Sequence, residues 1–168
     1  MKNDDDMRLV EQVQGLKGIL NVAQVVVSSL ELDEVLQNIL HSAMAVMDMP
    51  AGTIALYDAE SSQLELRAHA GLSEQFVALD RWRVSPGGLT YEILDRGELF
   101  IIKDTETADF FNNPLAIKEG IRSLIAAPLK IQKKTIGVLY LDDLKPREFV
   151  AEKLELLSIL TSFATMSI

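Results

Sequence analysis

The stretch Ile121–Asp143, IRSLIAAPLKIQKKTIGVLYLDD, constrains this chain more than any other. Two apolar runs flank the polar turn Gln132-Lys133-Lys134, the pattern of a β-hairpin. The usual alternation of apolar and polar positions is missing. Ser123, Ile125, Ala127, Leu129 and Ile131 share one face of the first strand, and Leu124, Ala126 and Pro128 share the other. The return strand repeats this, with Ile136, Val138 and Tyr140 on one side and Gly137, Leu139 and Leu141 on the other. An antiparallel hairpin commonly leaves one face wet, so this one requires a cover on each face. Small residues at Ala126, Ala127 and Gly137 let a helix or a ligand approach closely.

Helical periodicity supplies candidates for one cover. From Leu9 the apolar residues step through Val13, Leu16, Leu20, Ala23, Val27 and Leu30 at alternating spacings, the repeat of a helix able to pair with a second copy of itself. Val10, Ile19, Val22 and Val26 widen this surface, so one flank is expected on the chain's own sheet and the other on a partner. Gly15 and Gly18 each weaken the helix by up to about 1 kcal/mol relative to alanine. A second helix is expected from the cap Asp33 through EVLQNILHSAMAVMD, ended by Pro50. The last segment, Pro146–Ile168, again steps in helical fashion through Leu154, Leu157, Thr161, Ala164 and Ile168. It stops in mid-pattern without a cap or polar tail, as one module of a longer protein would.

Between the helices, GTIALYD and LELRAHAG, joined by the polar turn AESSQ, form a first hairpin. A short helix, SEQFVAL, follows Gly71. RWRVSPGG reads as an edge strand running into a turn, LTYEILDRG as a short helix closed by Gly97, and LFIIKD as a strand. From Thr105 to Gly120 the chain forms a loop with one or two helical turns. Its Asn112, Asn113 and Pro114 break regular structure, while Phe110 and Phe111 offer apolar area that needs burial.

Several chemistries are excluded. The chain has no cysteine, hence no disulfide, thiolate metal site, thioether-linked chromophore or cysteine nucleophile. A net charge of −9 argues against a phosphate-tracking groove, so no nucleic acid is expected as partner. Lys130, Lys133 and Lys134 form the one basic cluster, a solvated turn before a docking patch. No apolar run approaches the roughly 20 residues of a membrane span. The opening MKNDDDMRLVEQ carries acid where a signal peptide carries base, so a cytoplasmic domain is expected. His41 and His69 have no companions at ligand spacing, and no nucleophile–base pair is visible; neither a metal, a cofactor nor an enzyme is expected.

For a small-molecule pocket, Trp82, Tyr91, Phe110 and Phe111 are candidates for an aromatic roof, with core packing as the alternative. Tyr140 of the hairpin joins them. Thr90, Asp104, Thr105, Asp109 and Ser123 are polar candidates, of which Asp104 and Thr105 read first as helix caps. The Gly87-Gly88 pair before a helix either holds an anion or serves a plain turn.

Taken in order, LDEVLQNIL, GTIALYD, LELRAHAGLS, GGLTYEILDRGELFIIKD and GIRSLIAAPLKIQKKTIGVLYLDD resemble a GAF domain from about Leu16 to the C-terminus, the APL…GVLYLD wording being the most specific part. The resemblance implies an α+β, GAF/PAS-like fold. A central antiparallel sheet of about six strands would carry the N- and C-terminal helices on one face, and short helices and loops would form a pocket on the other. It divides the chain into a linker and dimerisation helix (1–32), a core (33–145) and a C-terminal helix leading to an output domain (146–168). The Asn-Lys-Phe-Asp-Glu set of cyclic-nucleotide-binding members is absent, as is the cysteine of bilin-binding members. The function implied is that of a non-catalytic sensory module of a bacterial signalling protein, such as a two-component system. It would form a homodimer through its terminal helices, bind an unidentified small ligand, or both. Its output would be a histidine kinase, chemoreceptor, cyclase or transcription activator. The alternatives are a purely structural dimer spacer and, further off, an enzyme such as a methionine-sulfoxide reductase, whose activity relies on cysteines this chain lacks.

Overall fold

The computed structural model describes residues 2–27, 32–108 and 111–168, with side chains in the first of these segments from 3 to 20. Helices α1 (Lys2–Val27) and α2 (Leu32–Met47) precede the hairpin β1 (Ala51–Asp58) and β2 (Gln63–Ala70). Then come α3 (Glu74–Val77), β3 (Arg81–Arg83), α4 (Leu89–Arg96), β4 (Phe100–Ile102), a 3-10 turn (Thr105–Thr107) and α5 (Pro114–Glu119). The second hairpin, β5 (Ser123–Ile131) and β6 (Lys134–Asp143), and helix α6 (Ala151–Ser167) complete the chain. The strands form one six-stranded sheet in the order β3-β2-β1-β6-β5-β4, antiparallel throughout. This is the α+β architecture that the resemblance implied.

The hairpin has its two covers. On one face Ile54, Ile125, Ala127, Leu129, Leu139 and Leu141 pack against Leu36, Ile39, Leu40 and Ala43 of α2 and Leu157 and Ala164 of α6. Each buried Leu or Ile contributes roughly 1.5–3 kcal/mol. Close approach is obligatory at Gly52, where a Cβ would stand 2.7 Å from the Tyr140 carbonyl oxygen and 2.8 Å from Leu40 Cδ1. On the other face Leu124, Ala126 and Val138 pack beneath Ile93 of α4 and Ala116 of α5.

The structure departs from the sequence reading in several places. The turn is Gln132–Lys133 alone, because Ile131 pairs with Lys134 and Gln132 takes a φ of 57°. Ile136 does not share a face with Val138 and Tyr140. The register shifts so that Leu129 faces Gly137 and Lys130 faces Thr135, and the extra residue packs into the α2–α6 core. Asp33 lies inside the first turn of α2, where its carboxylate receives Arg67 Nε at 2.7 Å. That helix stops at Met47, before Pro50, with Asp48 at a φ of 53°.

The largest difference concerns which helices cover the sheet. Leu9, Val13, Leu16 and Leu20 of α1 are exposed, and α2 with α6 occupies the sheet face instead. Six strands about 4.8 Å apart make a sheet about 24 Å wide, which two helices about 10 Å across cover without a third. The side chains of Ala23 and Val27, and all of Leu30, lie outside the described residues. On α6, Leu157, Thr161 and Ala164 are buried inside the chain and Leu154 is half-buried, whereas Ile168 is exposed.

Candidate functional site

The short-helix face encloses a cavity of about 370 Å³, a size at which small-molecule sites begin. Its floor is Thr53 of β1, Leu124 of β5 and Tyr140 and Asp142 of β6. Alternate residues of a strand share a face, which is why Tyr140 and Asp142 enter the cavity while Leu139 and Leu141 pack on the helices. Trp82 of β3 and Leu89, Thr90 and Tyr91 of α4 make one wall; Phe76 of α3 and the segment Phe111–Ala116 make the other.

Local sequence fixes these walls. Helix α4 ends at Gly97, whose φ of 62° closes a left-handed cap, and Lys130 Nζ donates to the Gly97 carbonyl at 3.0 Å. In α5 the Asn113 side chain accepts from Leu115 N at 3.0 Å, Pro114 occupies the first turn, and Gly120 caps the end with a φ of 84°. The residues that break regular structure in the loop thus begin a helix that leans on the cavity.

Three polar groups lie on the floor. The Tyr140 and Thr90 hydroxyls are 2.6 Å apart and tie β6 to α4, either one being able to donate. Burial pushes the Tyr140 phenol well above its ordinary value, so it stays neutral. Thr53 is buried with no side-chain partner among the described residues. Asp142 is 5% exposed, and no hydrogen bond or ion pair reaches its carboxylate among the described residues. Burial, and then the nearby Glu119 carboxylate, push its pKa up to about 7. Glu119 is itself occupied, accepting from Ser73 N at 2.7 Å and Ser73 Oγ at 2.6 Å.

Of the residues singled out from sequence, Trp82, Thr90, Tyr91, Phe111 and Tyr140 come together around the cavity. Asp104, Thr105 and Ser123 lie elsewhere. Asp104 caps the 3-10 turn, accepting from Glu106 N at 3.1 Å and from Arg122 Nη2 at 3.1 Å; those bonds, the backbone one first, hold its carboxyl below the ordinary value. Thr105 Oγ1 donates to the Ile121 carbonyl at 2.9 Å, and Ser123 Oγ to the Lys145 carbonyl at 2.8 Å. Asp109 and Phe110 fall outside the described residues. His41 Nε2 lies 3.0 Å from Gln37 Nε2, and the Gln37 side chain also grips the His69 backbone. Sequence reasoning missed Thr53, Phe76 and Asp142. For Asp142 the signal was present, since a residue two places beyond Tyr140 in one strand shares its face.

Comparison with known proteins places this geometry in context. The sequence profile of the GAF domain matches residues 29–168. The chain is 28% identical over 128 residues to the Nif-specific regulatory protein of Azospirillum lipoferum, an alignment covering 74% of this chain and 20% of that protein. It therefore spans about a fifth of the length of that relative. The fold superposes on the GAF domain of an Acinetobacter phosphoenolpyruvate-protein phosphotransferase with a TM-score of 0.75, at 20% identity and 90% coverage of each chain. It also superposes on a methyl-accepting chemotaxis protein with a TM-score of 0.71, at 18% identity, covering 87% of this chain and 93% of that one.

Proposed function

The chain belongs to the GAF domain family, and on that basis we propose that it is a non-catalytic sensory module whose cavity takes a small molecule and whose end helices join two copies. One observation carries this reading. Strand β6 lines the cavity with Tyr140 and Asp142 and alternates them with Leu139 and Leu141, which hold α2 and α6. A molecule that shifts the floor acts through one strand on the helices behind it. It biases them only so far as it binds two helix arrangements unequally.

The likeness to a Nif-specific regulatory protein and to a chemotaxis protein supports a regulatory parent. A histidine kinase, chemoreceptor, cyclase or transcription activator would serve as the output. No helix among the described residues is long and apolar enough to cross a membrane. Trp82, the sole tryptophan, lines the cavity and reports on it. A screen of small metabolites is expected to find one that changes its emission and slows hydrogen exchange across residues 105–120. If no compound does so and that segment is already fully protected, a structural spacer replaces the sensor.

Dimerisation is proposed through α1, which leaves Leu9, Val13, Leu16 and Leu20 in solvent, with Ile159 and Met166 exposed on α6. Nothing lies within 4 Å of a Cβ built at Gly15 or Gly18, so a second helix has room to approach there. In sedimentation the protein is expected to be a dimer. Leu16→Glu, by burying an unpaired carboxylate in the seam, should cost about 3 kcal/mol, or about a hundredfold in dimer Kd. A wild-type monomer at high concentration would sink the dimer.

A further inference from the structure

We propose that the cavity selects ligands presenting a cationic, hydrogen-bond-donating nitrogen to Asp142, which makes it a receptor for a small amine with an apolar body rather than for an anion. The proposal rests on the reading of the cavity as a ligand site and adds the ligand's chemistry. Buried polar groups in folded proteins are almost always partnered, because stripping a carboxylate of water without a donor is costly. Asp142 has no such partner among the described residues and borders the cavity.

The surrounding groups sharpen the choice. Across the sheet Asp142 faces Ala51 of β1 and Leu124 of β5, neither of which can donate from its side chain. The charge that reaches it from α5 is Glu119, of the same sign and already engaged by Ser73. Tyr140, on its own strand, is neutral and engaged by Thr90. Arg83 is the one basic residue lining the cavity among the described residues. It sits on β3, three strand positions from β6, or about 14 Å across the sheet, and its side chain is on the exposed rim. The inner end therefore carries negative potential with no counter-charge among the described residues. An anion placed there would lose its water and meet two carboxylates; an ammonium would lose its water and gain a charged acceptor. Phe76, Trp82, Leu89 and Leu124 supply the apolar surface for the rest of the molecule.

The test uses three compounds of similar skeleton, 2-phenylethylamine, 2-phenylethanol and 3-phenylpropionate, titrated against Trp82 emission and by calorimetry. The amine is expected to bind at least about tenfold more tightly than the carboxylate at pH 8. Its affinity should fall about tenfold from pH 8 to pH 6, as Asp142 takes up a proton around pH 7 while the ammonium stays charged. Asp142→Asn should remove that pH dependence and bring the amine level with the alcohol. A carboxylate that binds best, a preference for the amine that survives Asp142→Asn, or the absence of binding by the amine would overturn the proposal. The metabolite screen separates the two failures: an anionic hit there leaves the ligand site standing and sinks the amine alone.

Discussion

Asp142→Asn is expected to stabilise the fold by up to about 4 kcal/mol at pH 8 and by little at pH 4. The folded carboxyl has a pKa of about 7 against an ordinary value of 3.8. Between these values the folded chain holds a proton that the unfolded chain has released. Native stability therefore falls as pH rises from about 4 to about 7, and the whole cost is present above that range. Asparagine keeps the shape and removes the titration. Its amide still lacks a side-chain partner among the described residues, so the realised gain is expected at about 2–4 kcal/mol. Urea denaturation of both proteins at pH 4, 6 and 8 reads this directly. The wild-type midpoint should fall relative to the variant's across the series, the gap between them widening from pH 4 to pH 8. A variant less stable than wild type at pH 8 would mean that the carboxylate has a partner in the folded protein. A buried carboxylate that lowers stability at the end of a cavity suits a binding role, since a ligand that pairs with it recovers the cost.

The difference between what the residues reveal and what they conceal is plain along β6. Its dipeptide period separates Leu139 and Leu141 from Val138 and Tyr140 on sequence alone, and that separation holds in the sheet. At Ile136 it fails, because a bulge depends on how the partner strand is paired, which no pattern within one strand encodes. Helix punctuation is legible where a glycine stands alone, as at Gly97, but Asn113-Pro114, which reads as a break in regular structure, caps and opens α5. The cover of the sheet is less legible. Helices α1, α2 and α6 all carry apolar residues at helical spacing, and the width of the sheet limits how many of them it takes without naming which. Thr105 and Ser123 show the same limit, for an exposed loop hydroxyl and one bonded to a distant carbonyl look alike in sequence, whereas Asp104 is the cap that its sequence reading put first. Asp142 is the most informative residue of the site. It escapes a reading of the residues alone because an acid in an apolar strand looks like the end of that strand.

Arg147→Ala is expected to cost about 3–5 kcal/mol, the range for breaking a buried ion pair from one side. Its guanidinium does two tasks. Nη1 donates to Asp143 Oδ2 at 2.9 Å and to the Asp48 carbonyl at 2.5 Å, and Nη2 donates to the Met47 carbonyl at 3.0 Å. Asp143 is 6% exposed, and apart from Arg147 its carboxylate receives the Leu144 N–H at 2.7 Å. Truncation leaves that charge buried, and it also uncovers carbonyls at the end of α2 that have no partner within the helix. Arg147→Lys should recover less than half of the loss, since an ammonium cannot span a carboxylate and two carbonyls as the planar fork does. If the pair is the main term, Asp143→Ala combined with Arg147→Ala will cost well under the sum of the single changes in urea denaturation. A loss below about 1 kcal/mol for Arg147→Ala would mean that water replaces the clamp. The clamp also bears on signalling. It joins the end of α2 to the last residue of β6, one position beyond the Asp142 that faces the cavity, and it stands just before α6. A ligand that neutralises Asp142 changes the field at the neighbouring Asp143 and so at the bond holding α2. Occupancy of the cavity by the amine probe is therefore expected to slow hydrogen exchange at the C-terminal turn of α2 in the wild type, and to leave it unchanged in Arg147→Ala.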